Sequence, residues 1–340
     1  MNLMELISDK DSKETSYDLL SFGSVQSDPS ISLAEYLWLD GEIISNKNVE
    51  IHIPHSPLPD STMAGYEGIR CYATINGPAL FRLGDHVQRF LNTARLLGVE
   101  DFPYDLDSFS DAICRVVYAN NLIDCYIRPL IFFEGSPGLM RGEHEPTVAI
   151  AAWKWGADPD SVTLEPSSTP SFAAISQMHS FAGIAGDDFS EPYVNSIIAR
   201  TLAARAGDEA AVTFNHDGFV NGCSADILLL VKNNKIYTPP NVAILKSMAR
   251  NTVLTLAQDK SYDIVEAPVS SKQIYDADEV LVCSTFLEVM GVLEIDYLPV
   301  GDGHIGPVTH DLQRQYRAVV SGKDKRYKEW LDYMVLAPLI

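Results

Sequence analysis

The chain has 340 residues, enough to form two domains, because single hydrophobic cores stop growing near roughly 250–300 residues. A formal net charge of -21 at pH 7 argues against a nucleic-acid or anionic-membrane partner, since phosphate binding depends on basic patches. Apolar runs stay shorter than the roughly 18 residues that span a bilayer, and the five dispersed cysteines show neither pairing nor metal-ligand spacing. The chain start lacks a signal-peptide pattern, so we expect a cytoplasmic protein with reduced thiols.

The first part of the chain predicts an extension followed by β-hairpins. Residues 1–34 are acidic and serine-rich, and we expect them to form a flexible extension. The Asp40-Gly41 dipeptide and an Asn-Gly pair at 76–77 each lie between strand-like runs and favour tight hairpin turns. The strands that flank these turns begin a small α/β domain, which we place at residues 35–157.

Two helices and two longer strands complete this predicted domain. Apolar residues at helical spacing follow Asp85, which we expect to cap the first helix, and Gly98 ends the pattern. A second helix is predicted at 106–120. Strands are predicted at 126–133 and 147–153, so that the domain combines a sheet with helices.

A proline- and serine-rich stretch at 158–170 has the composition of an interdomain linker, and residues 171–340 predict a larger domain. Ser190 is expected to cap a helix at 191–206 with a proline in its first turn. Further strands are predicted at 211–214, 219–221, 227–232, 235–238 and 277–283, and further helices at 248–258 and 310–320. The chain therefore predicts an α+β/α/β protein of two domains with a site between them.

Several sequence blocks occur in an order that is typical of one enzyme family. They are Gly65-Tyr-Glu-Gly-Ile-Arg-Cys-Tyr, Gly77-Pro-Ala-Leu-Phe-Arg-Leu-Gly-Asp-His-Val-Gln-Arg89, Tyr126-Ile-Arg-Pro-Leu-Ile, Ser284-Thr285 and Gly306-Pro-Val-Thr. These blocks resemble the fold-type IV pyridoxal-phosphate (PLP) enzymes, the class IV aminotransferases, and among them the branched-chain aminotransferases. The resemblance implies the two-domain fold shared with D-amino acid aminotransferases, a homodimer and a small-molecule substrate.

The resemblance also implies an anion site for the phosphate of the cofactor. Arg89 and Thr285, which follows Ser284, match phosphate-holding residues of the family. A family Gly-Ile-Thr turn is replaced here by three residues that cannot all fill its role, because the last of them lacks a hydroxyl donor. They are Ser247, Met248 and Ala249.

On the substrate side, the resemblance implies roles for Arg70, Tyr126 and Arg128, because a guanidinium can bind a carboxylate through two parallel hydrogen bonds. Tyr193 matches a tyrosine that follows the family's catalytic lysine by five positions. These residues are candidates for substrate binding.

The catalytic lysine of the family is missing at the matching position, which is Asp188, and no lysine occurs between Lys154 and Lys232. Asp188 cannot form the imine that a lysine forms with the cofactor aldehyde. The family's acid beside the pyridine nitrogen is replaced by Asn221, which carries no negative charge to stabilise a pyridinium. We therefore expect PLP to be absent, or at least not covalently bound.

Three functional hypotheses follow, and whether the chain is an enzyme stays open among them. The first is PLP-independent acid–base chemistry in specialised biosynthesis, with Asp188 as the base and arginines as anion holders, performing a cyclisation, isomerisation, elimination or condensation on a small carboxylate or acyl substrate. The second is an aminotransferase or lyase that binds PLP non-covalently. Lys246, beside the altered turn, is a separate candidate for a displaced imine-former. The third is a non-catalytic pseudoenzyme.

Overall fold

The computed structural model describes residues 32–48, 64–99, 101–133, 146–155, 171–172, 175–179, 210–215, 217–223, 227–240 and 247–334, together with single positions between 199 and 208. Most of the predicted extension and all of the predicted linker at 158–170 lie outside these residues. The domain boundaries proposed from the sequence therefore stay a prediction.

The first large sheet combines strands from the first half of the chain with one strand from its C-terminal end. Its strands are β1 (Ser32–Leu33), β2 (Tyr36–Leu39), β3 (Glu42–Ser45), β4 (Ala64–Tyr66), β5 (Ile69–Thr74), β6 (Gly77–Phe81), β7 (Cys125–Phe133), β8 (Pro146–Lys154) and β20 (Leu331–Tyr333). They follow the order β20-β6-β5-β7-β8-β2-β3, with β1 beside β8 and β4 beside β7. The predicted hairpin at Asp40-Gly41 is confirmed, and both turn residues have the positive φ, 43° and 108°, that a type I′ turn requires.

Helices α1 (Leu83–Leu96) and α2 (Leu106–Ala119) cover one face of this sheet. Phe90 of α1 and Phe109 of α2 stack with ring centroids 4.8 Å apart and join Ile127 of β7 in a single buried cluster. The helix at 106–120 is confirmed to within one residue, and Asp105 forms a capping box with Ser108 at its start.

The start of α1 differs from the sequence prediction. The helix begins at Leu83, after Arg82 in the left-handed conformation with φ 54°, and no side chain caps it. Asp85 lies inside the first turn and accepts a hydrogen bond from Nε of Arg82 at 2.6 Å. The prediction that Asp85 caps the helix was wrong because long-range contacts hold the preceding turn: the N–H of Arg82 donates to the carbonyl of Trp330 at 2.7 Å.

The second large sheet follows the order β15-β14-β13-β16-β17-β9. Its strands are β9 (Ser171–Phe172), β13 (Ile227–Lys232), β14 (Lys235–Thr238), β15 (Asp263–Glu266), β16 (Glu279–Ser284) and β17 (Glu288–Val292). Smaller sheets contain β10 (Ile175–His179), β11 (Ala210–Phe214) and β12 (Val220–Cys223), and separately β18 (Glu294–Ile295) and β19 (Leu298–Pro299).

Alternate residues of the central strands β13 and β16 fill two different cores, as the two-residue period of a strand requires. Leu229 and Leu281 pack with helices α3 (Met248–Asp259) and α5 (Pro307–Val320), whereas Leu228 and Val282 pack on the other face near α4 (Ser271–Tyr275). Helix α5 starts three residues earlier than predicted because a proline occupies its first turn.

The core around α3 and α5 extends onto the first sheet. Tyr72 and Phe81 of the first sheet belong to the same buried cluster as Leu312 of α5. The first sheet therefore has one face under α1 and α2 and another that meets the second half of the chain. None of the helices in the described part combines the length and apolarity needed to cross a membrane.

Candidate active site

The candidate site lies on the face of the first sheet that is turned away from α1 and α2. Strand register places Arg70 of β5 opposite Tyr126 of β7, and Tyr126 opposite Trp153 of β8. Because alternate residues of a strand point to the same face, Arg128 shares this face, whereas Ile127 packs beneath the helices. The structure thus brings together the three residues that the sequence predicts on the substrate side.

Arg70 lies between two carboxylates inside a wall of aromatic rings. Its Nη2 donates to Oδ1 of Asp124 at 3.0 Å, and its Nη1 lies 4.0 Å from Oε1 of Glu288. The guanidinium carbon is 4.7 Å from the ring centroid of Tyr72 and 5.4 Å from that of Trp155. The Arg70 side chain is 6% exposed, so these neighbours replace most of its contact with water.

Arg128 is surrounded by the aromatic residues of the same sheet face. Its guanidinium carbon lies 5.3 Å from the ring centroid of Tyr66, 5.5 Å from that of Tyr126 and 5.7 Å from that of Trp153. Both predicted substrate-side arginines therefore contact π faces, an arrangement that orients a planar guanidinium.

The turn between β16 and β17 brings the second sheet to this face. The ring of Phe286 packs edge-on against Trp155, with centroids 4.2 Å apart, and lies 6.1 Å from Tyr126. Glu288 ends the turn with φ 59°, in the left-handed region, which costs a non-glycine residue roughly 1–2 kcal/mol. The turn that carries Glu288 towards Arg70 is thus locally strained.

The carboxyl group of Asp124 has an unusual acidity. Burial raises the pKa of Asp124 from 3.8 to about 6, although the guanidinium of Arg70 lowers it, and the nearby Glu288 carboxylate raises it further. A carboxyl group with this pKa can change its protonation state near neutral pH, which is the property required of a general acid or base.

A second buried charge cluster holds Arg89. Its Nε and Nη2 donate to the two carboxylate oxygens of Glu67, each at 2.6 Å, and Nδ1 of His86 lies 3.3 Å from the same carboxylate. The Glu67 side chain is 2% exposed. Burial alone would raise the pKa of Glu67, but Arg89 and His86 lower it to about 2. Two of the three guanidinium nitrogens of Arg89 are thus bound to a partner that is ionised at neutral pH, and a role in phosphate binding stays a prediction.

The predicted phosphate turn forms the start of α3. The Ser247 hydroxyl accepts a hydrogen bond from the N–H of Arg250 at 3.2 Å, and the Met248 carbonyl accepts one from Nη1 of Arg82 at 3.4 Å. Ala249 is buried in the same cluster as Cys283 of β16. These positions therefore stabilise the helix start, and their role as anion ligands stays a prediction.

The end of β16 carries the last predicted anion residues. The Ser284 hydroxyl accepts a hydrogen bond from the N–H of Leu287 at 3.0 Å and so stabilises the turn, where Thr285 is half-buried. Because β16 and α3 share one core cluster, the structure places these two predicted parts of the site side by side.

Asp188 and Tyr193 lie outside the described residues, and the side chain of Asn221 does too, although its backbone belongs to β12. Sequence reasoning missed the residues that surround Arg70, because their proximity arises from long-range contacts. Asp124 and Glu288 lie far from Arg70 in the sequence, and no pattern links them. Glu67 was within reach of prediction, since it occurs inside the first block shared with the family.

Comparisons with known proteins agree with this architecture. The family model for class IV amino-transferases matches residues 65–295. The chain is 33% identical over 296 residues to the branched-chain-amino-acid aminotransferase of Pseudomonas aeruginosa, covering 86% of this chain and 95% of the relative. The chain belongs to the class IV aminotransferase family.

Further class IV aminotransferases show the same likeness along their whole length. The Escherichia coli branched-chain-amino-acid aminotransferase is 30% identical over 312 residues, covering 88% of this chain and 97% of that protein. The Thermobaculum terrenum branched-chain amino acid aminotransferase, solved in its PLP form, has a TM-score of 0.76 and 27% identity, and the match covers 88% of this chain and 98% of that chain. The predicted fold-type IV architecture and the family resemblance are confirmed.

The lysines of this class IV aminotransferase that the structure describes lie away from the candidate site. The lysines in the described part are exposed, apart from the half-buried Lys154 and Lys232. Lys232 pairs with Asp278 at 2.6 Å, far along the second sheet, and the register of β8 places Lys154 on the opposite face from Trp153. Within the described part, no lysine therefore lies on the face of the candidate site.

Proposed function

We propose that this class IV aminotransferase homologue performs acid–base chemistry on a small carboxylate or acyl substrate without covalently bound PLP. The reaction classes that suit such a site are cyclisation, isomerisation, elimination and condensation, in specialised biosynthesis. The observation that carries the proposal is the absence of lysine from residues 155–231, the stretch in which the family resemblance places the imine-forming amine. Without an amine in that stretch, the cofactor has no covalent anchor and no lysine to move the substrate proton.

In this proposal the substrate carboxylate binds to the arginines of the sheet face, Arg70 and Arg128, because a guanidinium matches the geometry of a carboxylate. Asp188 acts as the base. Asp124 supports acid–base chemistry at this site, since a carboxyl group whose pKa is raised to about 6 exchanges its proton near neutral pH.

The first test asks whether PLP attaches covalently to the protein. The purified protein is incubated with PLP, treated with borohydride to fix any imine, digested and analysed by mass spectrometry. We expect no pyridoxyl-modified lysine. A stoichiometric adduct on Lys246 or on any other lysine contradicts the proposal and makes amino-group transfer the function.

A second candidate function is transamination with PLP bound non-covalently, or a related lyase reaction. It is favoured by the names of the relatives, which are branched-chain-amino-acid aminotransferases, and by the PLP form of the Thermobaculum terrenum structure. An assay for conversion of leucine to its 2-oxo acid, with PLP and an acceptor oxo acid added, distinguishes the two functions. We expect no turnover above the rate of free PLP.

Ligand binding separates both enzymatic functions from a non-catalytic role. A further branched-chain amino acid aminotransferase of similar structure was solved in a complex with 4-methylvaleric acid, a small branched carboxylate suited to the two arginines. We expect 4-methylvaleric acid to bind to this chain and the combined Arg70→Ala and Arg128→Ala variant to lose that binding. Binding that survives both substitutions would instead favour a non-catalytic partner of a pathway enzyme.

We also propose that the chain functions as a homodimer, on the strength of the family resemblance. Sedimentation analysis of the purified chain tests this assembly, and a monomer at micromolar concentration would contradict it. The cytoplasmic location stays a prediction from the sequence.

A further inference from the structure

The guanidinium of Arg70 is only partly used by its neighbours. Its Nη2 donates to Asp124 at 3.0 Å, whereas its Nε is buried and has no hydrogen-bond partner within the described part of the chain. Nε and Nη2 form one edge of a guanidinium and together can bind both oxygens of a carboxylate. One half of this edge is therefore occupied by an internal carboxylate, and the other half is a buried donor without a partner among the described residues.

Arg89 of the same protein uses both donors of the corresponding guanidinium edge. Nε and Nη2 of Arg89 bind the two oxygens of Glu67, each at 2.6 Å. Asp124 makes one such bond to Arg70 instead of two. Asp124 therefore holds Arg70 with fewer hydrogen bonds than Glu67 holds Arg89. A ligand carboxylate that bonds to both Nε and Nη2 of Arg70 can compete with Asp124.

The carboxylates, and not the arginine, face the solvent at this end of the site. The side chains of Asp124 and Glu288 are 25% and 26% exposed, compared with 6% for Arg70. When both carboxylates are ionised, one positive and two negative charges give the group a net charge of minus one. An approaching anion thus meets repulsion before it reaches the guanidinium.

Asp124 is fixed at this position by its backbone. Its carbonyl accepts a hydrogen bond from the N–H of Trp155 at 3.2 Å, and Asp124 directly precedes β7. A rotation of the side chain alone would break its bond to Arg70, while the backbone stays bound to Trp155 at the end of β8. Displacement of Asp124 therefore requires a change of rotamer and no rearrangement of the sheet.

We propose that Asp124 is an internal competitor of the substrate: a substrate carboxylate binds to Nε and Nη2 of Arg70 in place of Asp124, and the displaced Asp124 takes up a proton. The inference rests on the proposed role of Arg70 in binding the substrate carboxylate. Asp124 acts as a positioning residue that adjusts the affinity of the site for carboxylates. The proton that the Asp124 carboxylate takes up comes from the solvent, and the substrate stays ionised.

Protonation makes this competition depend on pH. The ionisable groups near Asp124 are Arg70 on β5, Glu288 on β17 and the Cys125 thiol on β7. Burial raises the pKa of Asp124 to about 6, and the Glu288 carboxylate acts in the same direction. Above this value one proton is taken up for each carboxylate bound, so the affinity decreases by up to about tenfold for each further pH unit.

Calorimetric titration with 4-methylvaleric acid at about pH 5.5 and about pH 7.5 tests the inference by measuring both affinity and proton uptake. The wild-type protein is expected to bind about tenfold or more weakly at the higher pH, with uptake of a proton seen as a buffer-dependent enthalpy. Asp124→Asn, and Asp124→Ser as a second variant, are expected to bind at the higher pH with the affinity of the lower one and without proton uptake. Asp278→Asn, which removes an exposed carboxylate far from the site, should behave like the wild type.

Each result has a defined meaning. If both Asp124 variants retain the pH dependence and proton uptake of the wild type, while Arg70→Ala abolishes binding, the inference is overturned and the proposed role of Arg70 stands. If Arg70→Ala binds as well as the wild type, the proposed substrate role of Arg70 fails. If the acid binds to none of these proteins, both are overturned.

Discussion

Replacing Glu67 by glutamine is expected to destabilise the protein by about 3–5 kcal/mol, the typical cost of removing one partner from a buried ion pair. The Glu67 carboxylate is 2% exposed and accepts two hydrogen bonds of 2.6 Å from Arg89. A glutamine side chain has nearly the same size, but its amide nitrogen cannot accept a hydrogen bond. The Glu67→Gln variant therefore removes the negative charge that faces the Arg89 guanidinium and weakens one of its two hydrogen bonds.

The lowered pKa of Glu67 gives a second estimate of how much its ion pair stabilises the fold. Its pKa is lowered from 4.5 to about 2, which corresponds to about 3 kcal/mol of folding free energy at about 1.36 kcal/mol for each pKa unit. Because the pKa is lower in the folded than in the unfolded protein, this stability is fully present above pH 4.5 and is lost as the pH falls towards 2.

Urea unfolding followed by tryptophan fluorescence, at about pH 7 and about pH 3, measures this free energy. Asp278→Asn is the matched control, because the Lys232–Asp278 pair has the same 2.6 Å separation but its side chains are 44% and 48% exposed. We expect the control to lose less than about 1 kcal/mol. A Glu67→Gln variant that is as stable as the control would refute this expectation. So would a difference in free energy of unfolding between wild type and Glu67→Gln that is as large at the lower pH as at the higher one.

Three further predictions concern single positions. Gly68→Ala introduces a Cβ that collides with the hydroxyl of Tyr126, so calorimetry should show weaker binding of 4-methylvaleric acid, whereas Gly84→Ala, whose Cβ meets open space, should leave binding unchanged. Asp105→Ala removes the capping box of α2 and should lower the free energy of unfolding, measured in urea. The pKa of Asp124 is raised in the folded protein, so the folded state is favoured less as Asp124 ionises. The free energy of unfolding of the wild type, relative to that of Asp124→Asn, should decrease by up to about 3 kcal/mol between about pH 4 and about pH 7. A difference that stays constant over this range would contradict the raised pKa.

Local sequence chemistry predicted the Asp40-Gly41 turn and helix α2 well. Asp40 and Gly41 adopt the positive φ values that their turn requires. The apolar spacing of α2 predicted its bounds to within one residue. These features depend on neighbours in the sequence, and therefore a single sequence contains the necessary information.

Features that depend on distant residues were missed or misplaced. Asp85 was assigned as a cap because its residue type is favourable, whereas Arg82 and its contacts with Trp330 decide where α1 begins. The short strands β15, β17 and β20 and the short helix α4 give no strong periodic signal. Their formation depends on pairing with strands that are distant in the sequence.

In the candidate site too, some features could be predicted from the sequence, and those that depend on distant residues could not. The resemblance placed Arg70 and Arg128 on the substrate side, and the strand register brings them to one face. Residue types alone could not reveal that Asp124 and Glu288 already neutralise Arg70. The proposed base, Asp188, lies outside the described residues, and its role stays a prediction.

Strand β20 has a consequence for the order of events during protein synthesis. Leu331 of β20 pairs with Phe81 of β6, and β20 covers what would otherwise be an edge of the first sheet. While the chain emerges from the ribosome, β6 has to wait for nearly all of the remaining residues before its outer hydrogen bonds are satisfied. An unpaired strand edge is a template for association with other chains. Early termination shortly before residue 331 would therefore yield a nascent product that is prone to aggregate, even though every residue of the arginine-lined face has already been made.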